Sequence, residues 1–176
     1  MFRCLRKESF MVNILIRWLI FLHVLAALTF FLAHGASAAM ALRVRRETDF
    51  LRIRAMLDLS ESTIELMFVS FLGMGLTGVA LPFFIHIWNK AWVWASIILM
   101  IFVFIWMVWM NERKYKILRK LVGLPYRQGS KEYPAEPPAS AEEISAQLKK
   151  MNVTGLIVVG YLIPAFVLWL MVFKPF

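Results

Sequence analysis

Three histidines are the residues of this chain whose type and spacing could support chemistry: His23, His34 and His86. His23 and His34 lie 11 residues apart in one apolar segment. On an α-helix this separation is about three turns, so both imidazoles point to one face, about 16 Å apart along the axis. Haem iron is commonly held by histidine, and helix bundles build cofactor sites from facing helices. The pattern therefore makes all three histidines candidate ligands of a haem b, with Met67 or Met107 as a further ligand.

The same histidines also have a simpler structural interpretation. A neutral imidazole inside a membrane segment commonly hydrogen-bonds a carbonyl or hydroxyl of a neighbouring helix, and Ser37, Ser70 and Thr77 are suitable partners. His86 lies close to Trp88, as expected of a residue at the membrane–water interface. No ligand motif accompanies the histidines. Packing, haem binding and a bare copper or zinc site are therefore all open interpretations, and packing is the simplest.

Four long apolar segments must position these side chains. They cover residues 13–42, 64–88, 91–110 and 153–173 of a 176-residue chain that is 61% hydrophobic. A helix needs about 20 apolar residues to cross a hydrocarbon core of about 30 Å, and lipid allows only helices or closed barrels. The sequence therefore predicts an all-α fold: a polytopic membrane protein with a four-transmembrane-helix bundle, in which residues 1–176 form a single membrane domain.

Small residues and prolines predict how the segments pack. Residues 35–39 are all small, and Gly73, Gly75 and Gly78 lie in the second segment. Small residues let helices approach closely in lipid, so we expect these two surfaces to face each other. Pro82 and Pro164 are expected to kink the second and fourth helices.

The first long loop, residues 43–62, has helical character of its own. Thr48 is a suitable N-cap, and Phe50, Ile53 and Leu57 recur at helical spacing between arginines. This pattern favours a short amphipathic helix at the membrane surface. The alternative is a straight extension of the first membrane helix.

The second long loop, residues 111–152, is basic and contains several prolines. Its N-terminal part continues the third helix until Gly123 and Pro125 end it. Ser140 followed by Glu143 forms a capping box, which predicts that a helix begins there and leads towards the fourth membrane segment.

Positive charge predicts the orientation in the cell inner membrane. The formal net charge is +9, and loops 43–62 and 111–152 hold 14 of the 20 lysines and arginines. The positive-inside rule places these loops in the cytoplasm and both termini outside. The basic N-terminus argues against this orientation, unless Met11 is the true start. Basic residues in the loops between membrane segments are expected to bind anionic lipid headgroups rather than nucleic acid.

Residues 20–62 resemble part of a known family. The stretch 22–25 (LHVL), leading to 34–38 and then to the stretches 43–49 and 52–59, looks like the first span and following loop of bacterial integral membrane proteins of a domain-of-unknown-function family. Their layout is similar to that of copper-resistance D-type four-helix membrane domains. The resemblance implies a four-span fold, and some of these relatives carry a haem-binding histidine in the first span, which His23 alone matches. The Met/His clusters of copper carriers have no counterpart here.

Three functions follow as expectations. The scarcity of ionisable groups in the apolar segments and the bulky third segment favour a non-catalytic protein of structural or accessory-subunit type. It would associate with a larger membrane complex or form a homo-oligomer. The alternative is a haem b-binding membrane protein for electron transfer or haem metabolism. A second alternative is a small-molecule or metal permease, which the lack of acidic residues inside the segments disfavours. No enzyme class is assigned.

Overall fold

The computed structural model describes residues 2–128 and 131–175. Within them the chain forms α1 (Phe2–Val44), α2 (Phe50–Ile85) and α3 (Ala91–Met110), continued by a first π-helical turn (Asn111–Tyr115) and α4 (Lys116–Leu121). A two-stranded antiparallel sheet of β1 (Tyr126–Gln128) and β2 (Lys131–Tyr133) follows. The last elements are α5 (Ala141–Lys149), α6 (Val153–Ile157), a second π-helical turn (Val158–Leu162) and α7 (Ile163–Phe173).

Four helical stretches of the described residues are long and apolar enough to cross a membrane: Phe10–Val44, Phe50–Ile85, Ala91–Leu121 and Thr154–Phe173, which are spans one to four below. The predicted all-helical architecture with four long apolar helices is therefore confirmed. α1 packs along α2, and α3 packs against α7. The four spans are thus arranged as two pairs.

The first loop differs from the prediction. α2 begins at Phe50 and continues without interruption into span two, so residues 50–62 are its first turns. The predicted separate interfacial helix is wrong, and the residues do not extend span one either. The N-cap is Asp49 rather than Thr48, because the Asp49 carboxylate accepts hydrogen bonds from two backbone N–H groups of the first turn, at 2.9 and 3.4 Å. Within α2, neither proline nor glycine occurs before Gly73, so nothing in the sequence ends this helix early.

A hydrophobic core joins the two long loops at one end of the spans. It draws residues from span one, the start of α2, α4, α5 and α6, with the spacing of amphipathic helices. This loop-side core consists of Ala38, Ala41, Val44, Ile53, Leu57, Leu118, Val122, Leu124, Ile144, Leu148, Met151 and Leu156. Loops 43–62 and 111–152 therefore lie at the same end of the molecule, as two intervening spans require.

Side chains hold the connection from α4 to α5. The predicted capping box is confirmed: Ser140 Oγ accepts from the Glu143 backbone N–H at 3.2 Å, and the Glu143 carboxylate accepts from the Ser140 N–H at 3.3 Å. Upstream, the Tyr126 hydroxyl donates to Glu136 Oε1 at 2.8 Å, and Lys120 Nζ lies 3.3 Å from Glu136 Oε2. The hydrogen bond from Tyr126 has the largest effect in lowering the pKa of Glu136, and the hydrogen bond from Lys120 lowers it further.

Arg119 of α4 is buried beside the loop-side core, with 8% of its surface exposed. Its Nη1 donates to the Leu57 carbonyl at 2.9 Å, and its Nε donates to the Pro125 carbonyl at 3.0 Å. The guanidinium also lies 3.6 Å from the Asp58 carboxylate and 3.5 Å from that of Glu61. A planar guanidinium with several donors suits this divided set of acceptors. Arg119 therefore fastens the second loop to α2.

Replacing Arg119 with alanine is expected to lower the free energy of unfolding by about 2–4 kcal/mol, because two carbonyls lose a charged donor at a buried site. Arg127→Ala is the matched control. The Arg127 side chain is 59% exposed and its ion pairs lie at the surface, so we expect a loss below about 0.5 kcal/mol. Unfolding of both variants in one detergent measures the difference. Equal losses would contradict the role given to Arg119.

Candidate functional site

His23 is half-buried between spans one and two. Its Nδ1 lies 3.1 Å from the Met74 carbonyl and 3.0 Å from Thr77 Oγ1. Thr77 is one of the hydrogen-bond partners that the sequence indicated. Gly78 makes room for the ring, since a Cβ there would lie 3.0 Å from His23 Cε1. The imidazole thus fixes the approach of α1 to α2 through a polar contact in apolar surroundings.

His34 is buried between spans one and four, with 4% of its surface exposed. Its ring stacks on Phe30 at 5.8 Å between centroids and lies 5.4 Å from the Tyr161 ring. Its Nε2 points at Gly160, where a Cβ would overlap the imidazole. Among the described residues this nitrogen has no hydrogen-bond partner. Close packing therefore leaves one polar atom of the ring unsatisfied.

The second π-helical turn brings span four to His34. It contains both Gly160 and Tyr161 and directly precedes α7, whose first turn contains Pro164. A proline in a helix removes a backbone hydrogen bond and disturbs the turn before it. The Tyr161 hydroxyl donates to the Gly35 carbonyl at 3.4 Å, so the irregular turn is tied to the small-residue stretch of span one.

His86 lies apart from the other two histidines. It follows the last residue of α2 in a left-handed conformation, with φ of 53°. Its side chain is exposed. At this helix end, His86 has no contact with His23 or His34 among the described residues, and its interfacial role stays a prediction.

The structure does not bring the three histidines together. His23 and His34 share a face of α1, but span two lies against that face at His23 and span four at His34. A shared face fixes the direction of a side chain, whereas the neighbour on that face changes along the helix because packed helices cross at an angle. The sequence could predict the first of these properties and not the second.

The residues around His34 do not fit a haem. The cavity beside it, which Met67 and Met107 also line, has a volume of about 60 Å³. Pockets for drug-sized ligands hold about 300–1,000 Å³, and a porphyrin needs space on that scale. Within residues 2–128 and 131–175, no group of three or more His, Cys, Asp or Glu side chains is placed to hold a metal ion.

The remaining polar side chains of the spans mostly bond to their own helices. Thr29, Ser70, Thr77 and Ser96 each donate to a carbonyl four residues earlier, at 2.6–2.9 Å. An exception that sequence reasoning missed is the pair Ser37 and Ser60, whose hydroxyl oxygens lie 2.9 Å apart across two helices. Nothing in the spacing of these two serines could have indicated their contact.

No protein-family model, curated protein or solved structure matches this chain. The resemblance carried by residues 20–62 therefore stays a prediction.

Proposed function

We propose that this chain is a small integral membrane protein of non-catalytic, structural or accessory-subunit type. One observation carries the proposal: His23 and most hydroxyls within the spans are used for contacts within and between helices. His23 bonds to span two, and the hydroxyls of Ser70 and Ser96 bond to their own helices. Catalysis requires groups that converge on a reacting atom. These groups instead stabilise helix packing.

The outer surface of the spans supports an accessory role. Large apolar side chains are exposed along every span, and those of α3 are bulky, including Trp94, Ile98, Phe102 and Ile105. Such a surface is stable in contact with lipid tails or with another membrane protein. Anionic headgroups are the natural partners of the exposed arginines and lysines at the loop end. We place the loops in the cytoplasm of a cell with the chain in its inner membrane.

The two alternative functions receive less support. Haem binding would need more space than the cavity of about 60 Å³ beside His34 provides, although Met67 and Met107 line that cavity. A permease would need polar or charged groups along a route through the spans. The carboxylates of α2, namely Asp58, Glu61 and Glu65, instead lie near its loop end, where they pair with Arg119 and Arg127.

A visible absorption spectrum separates the accessory role from haem binding. The chain is expressed in haem-replete cells and purified in mild detergent, alongside His23→Ala and His34→Ala. We expect no Soret band in any of the three preparations. A stoichiometric Soret band that disappears in either variant would contradict the proposal. Elution of the wild-type chain as a defined homo-oligomer or with a stoichiometric membrane subunit is the positive result.

The packing role of His34 is tested by placing a methyl group on Gly160. Gly160→Ala is expected to destabilise the protein by about 1–3 kcal/mol, because overpacking forces the imidazole to move. Gly75→Ala is the matched control. No atom of the described residues lies within 4 Å of a Cβ at Gly75, so this variant is expected to be neutral or up to about 1 kcal/mol more stable.

A double-mutant cycle shows whether the Gly160 effect passes through the histidine. His34→Ala should remove most of the loss caused by Gly160→Ala, since contacting residues are energetically coupled. Unfolding in detergent is the measurement for all four proteins. Equal responses of Gly160→Ala and Gly75→Ala, or strict additivity in the cycle, would show that His34 is not the group that packs on Gly160.

A further inference from the structure

A partly open cavity of about 60 Å³ lies between the two pairs of spans, near their loop end. All four spans contribute to its wall, which includes His34, Ser37, Ser60, Met107, Tyr115 and Leu156. Most of the wall is apolar, but the serines, His34 and Tyr115 add polar side chains. Cavities lined only by apolar groups stay dry, whereas polar ones of sufficient size hold water.

The serine pair in this wall has unused hydrogen-bonding capacity. The oxygens of Ser37 and Ser60 lie 2.9 Å apart, so one hydroxyl donates to the other. Each hydroxyl has one donor and two acceptor lone pairs, and the part of the chain that the structure describes gives this pair no further side-chain partner. One O–H hydrogen and several lone pairs therefore remain without a partner among the described residues. The other buried span serines, Ser70 and Ser96, each donate to a carbonyl of their own helix.

We propose that this cavity is a hydration site, in which a cluster of water molecules bonds to Ser37 and Ser60 beside His34. One water requires about 10–15 Å³ of such volume, so the cavity holds a few molecules. Each buried water typically makes about three hydrogen bonds. The serine hydroxyls and neighbouring waters supply these bonds, and the cluster links span one to α2 where the two spans meet the second pair.

The edge of the cavity on α2 lies next to residues in contact with the aqueous phase. Ser60 and Ile64 flank Glu61, and Glu65 follows Ile64 directly. The side chains of Glu61 and Glu65 are 40% and 78% exposed. Charged carboxylates stay hydrated, so Glu61 and Glu65 keep water close to this edge of the cavity. Water thus enters from the loop end.

Aromatic rings end the hydrated region on its other side. Phe71 lies 5.8 Å from Phe30 and 4.9 Å from Phe104, measured between ring centroids. The cavity among these rings has a volume of only about 10 Å³ and an apolar wall. It has room for about one water and no polar group to bind it. The hydration site is therefore a pocket that water enters only from the loop end and that reaches His34; it is not a channel through the spans.

Hydrogen–deuterium exchange of single cysteine thiols tests the proposal. Cys4 is replaced by serine in the full chain, and one cysteine is introduced as Ser60→Cys or Ser96→Cys. Ser60 and Ser96 are matched in type and burial, with 4% and 3% of their surfaces exposed. Each protein is placed in lipid nanodiscs and transferred to D₂O, and the S–H infrared band is followed as it converts to S–D.

The Ser60→Cys thiol is expected to exchange many times faster than the Ser96→Cys thiol, since only the former lies in the hydrated cavity. Ser37→Cys repeats the test on the opposite wall of the cavity. It takes the place of Ser60→Cys if that variant does not fold. Exchange at positions 60 and 37 as slow as at position 96 would show a dry cavity and overturn the proposal. Equally fast exchange at all three positions would also overturn it, because general opening of the spans would then explain the water access.

Discussion

The need to give every polar group a partner inside an apolar set of helices is the constraint on which this structure depends. An unsatisfied polar group away from water costs several kcal/mol. Most hydroxyls of the spans and His23 meet the constraint in two ways, whereas Nε2 of His34 has no partner among the described residues. Hydroxyls such as Ser70 and Ser96 bond to carbonyls of their own helix, while His23 bonds across to Met74 and Thr77. Polar side chains that bond across to a neighbouring helix thereby fix how the two helices are aligned.

The two pairs of spans are joined differently at their two ends. At the loop end, apolar side chains form a core like that of a soluble protein between the loops. Arg119 links α4 to the carbonyl of Leu57. Deeper in the spans, the pairs meet through close contacts of few residues, with Gly160 against His34 and Tyr161 against Gly35. Apolar helices have little driving force to associate in lipid, so we infer that the folded loop unit holds the two pairs together. This arrangement accords with a structural or accessory protein.

Much of the fold could be predicted from local sequence signals. Apolar length predicted four long helices, and the capping box predicted the start of α5, because both depend on residues close together in the chain. The boundary of α2 could not be predicted from periodicity, since an amphipathic surface helix and the amphipathic start of a longer helix have the same pattern. The unbroken course of α2 from Phe50 to Ile85 distinguishes the two.

The histidine contacts show a second limit of sequence reasoning. Helical spacing predicted one shared face for His23 and His34, but the neighbour of each ring depends on how four helices cross. Arg119 looked like one basic residue among many in its loop. Its importance comes from acceptors on α2 that are distant in sequence. Such pairings arise from tertiary structure, and no local pattern reports them.

Cysteine labelling in sealed membrane vesicles tests the central arrangement most directly. Single cysteines replace Thr48 in the first loop, Ser145 in the second and Asn89 between α2 and α3, all exposed positions, in a chain without Cys4. A membrane-impermeant thiol reagent should label positions 48 and 145 from one side and position 89 from the other. Labelling of positions 48 and 145 from opposite sides would contradict the shared loop-side core and the contact of Arg119 with α2.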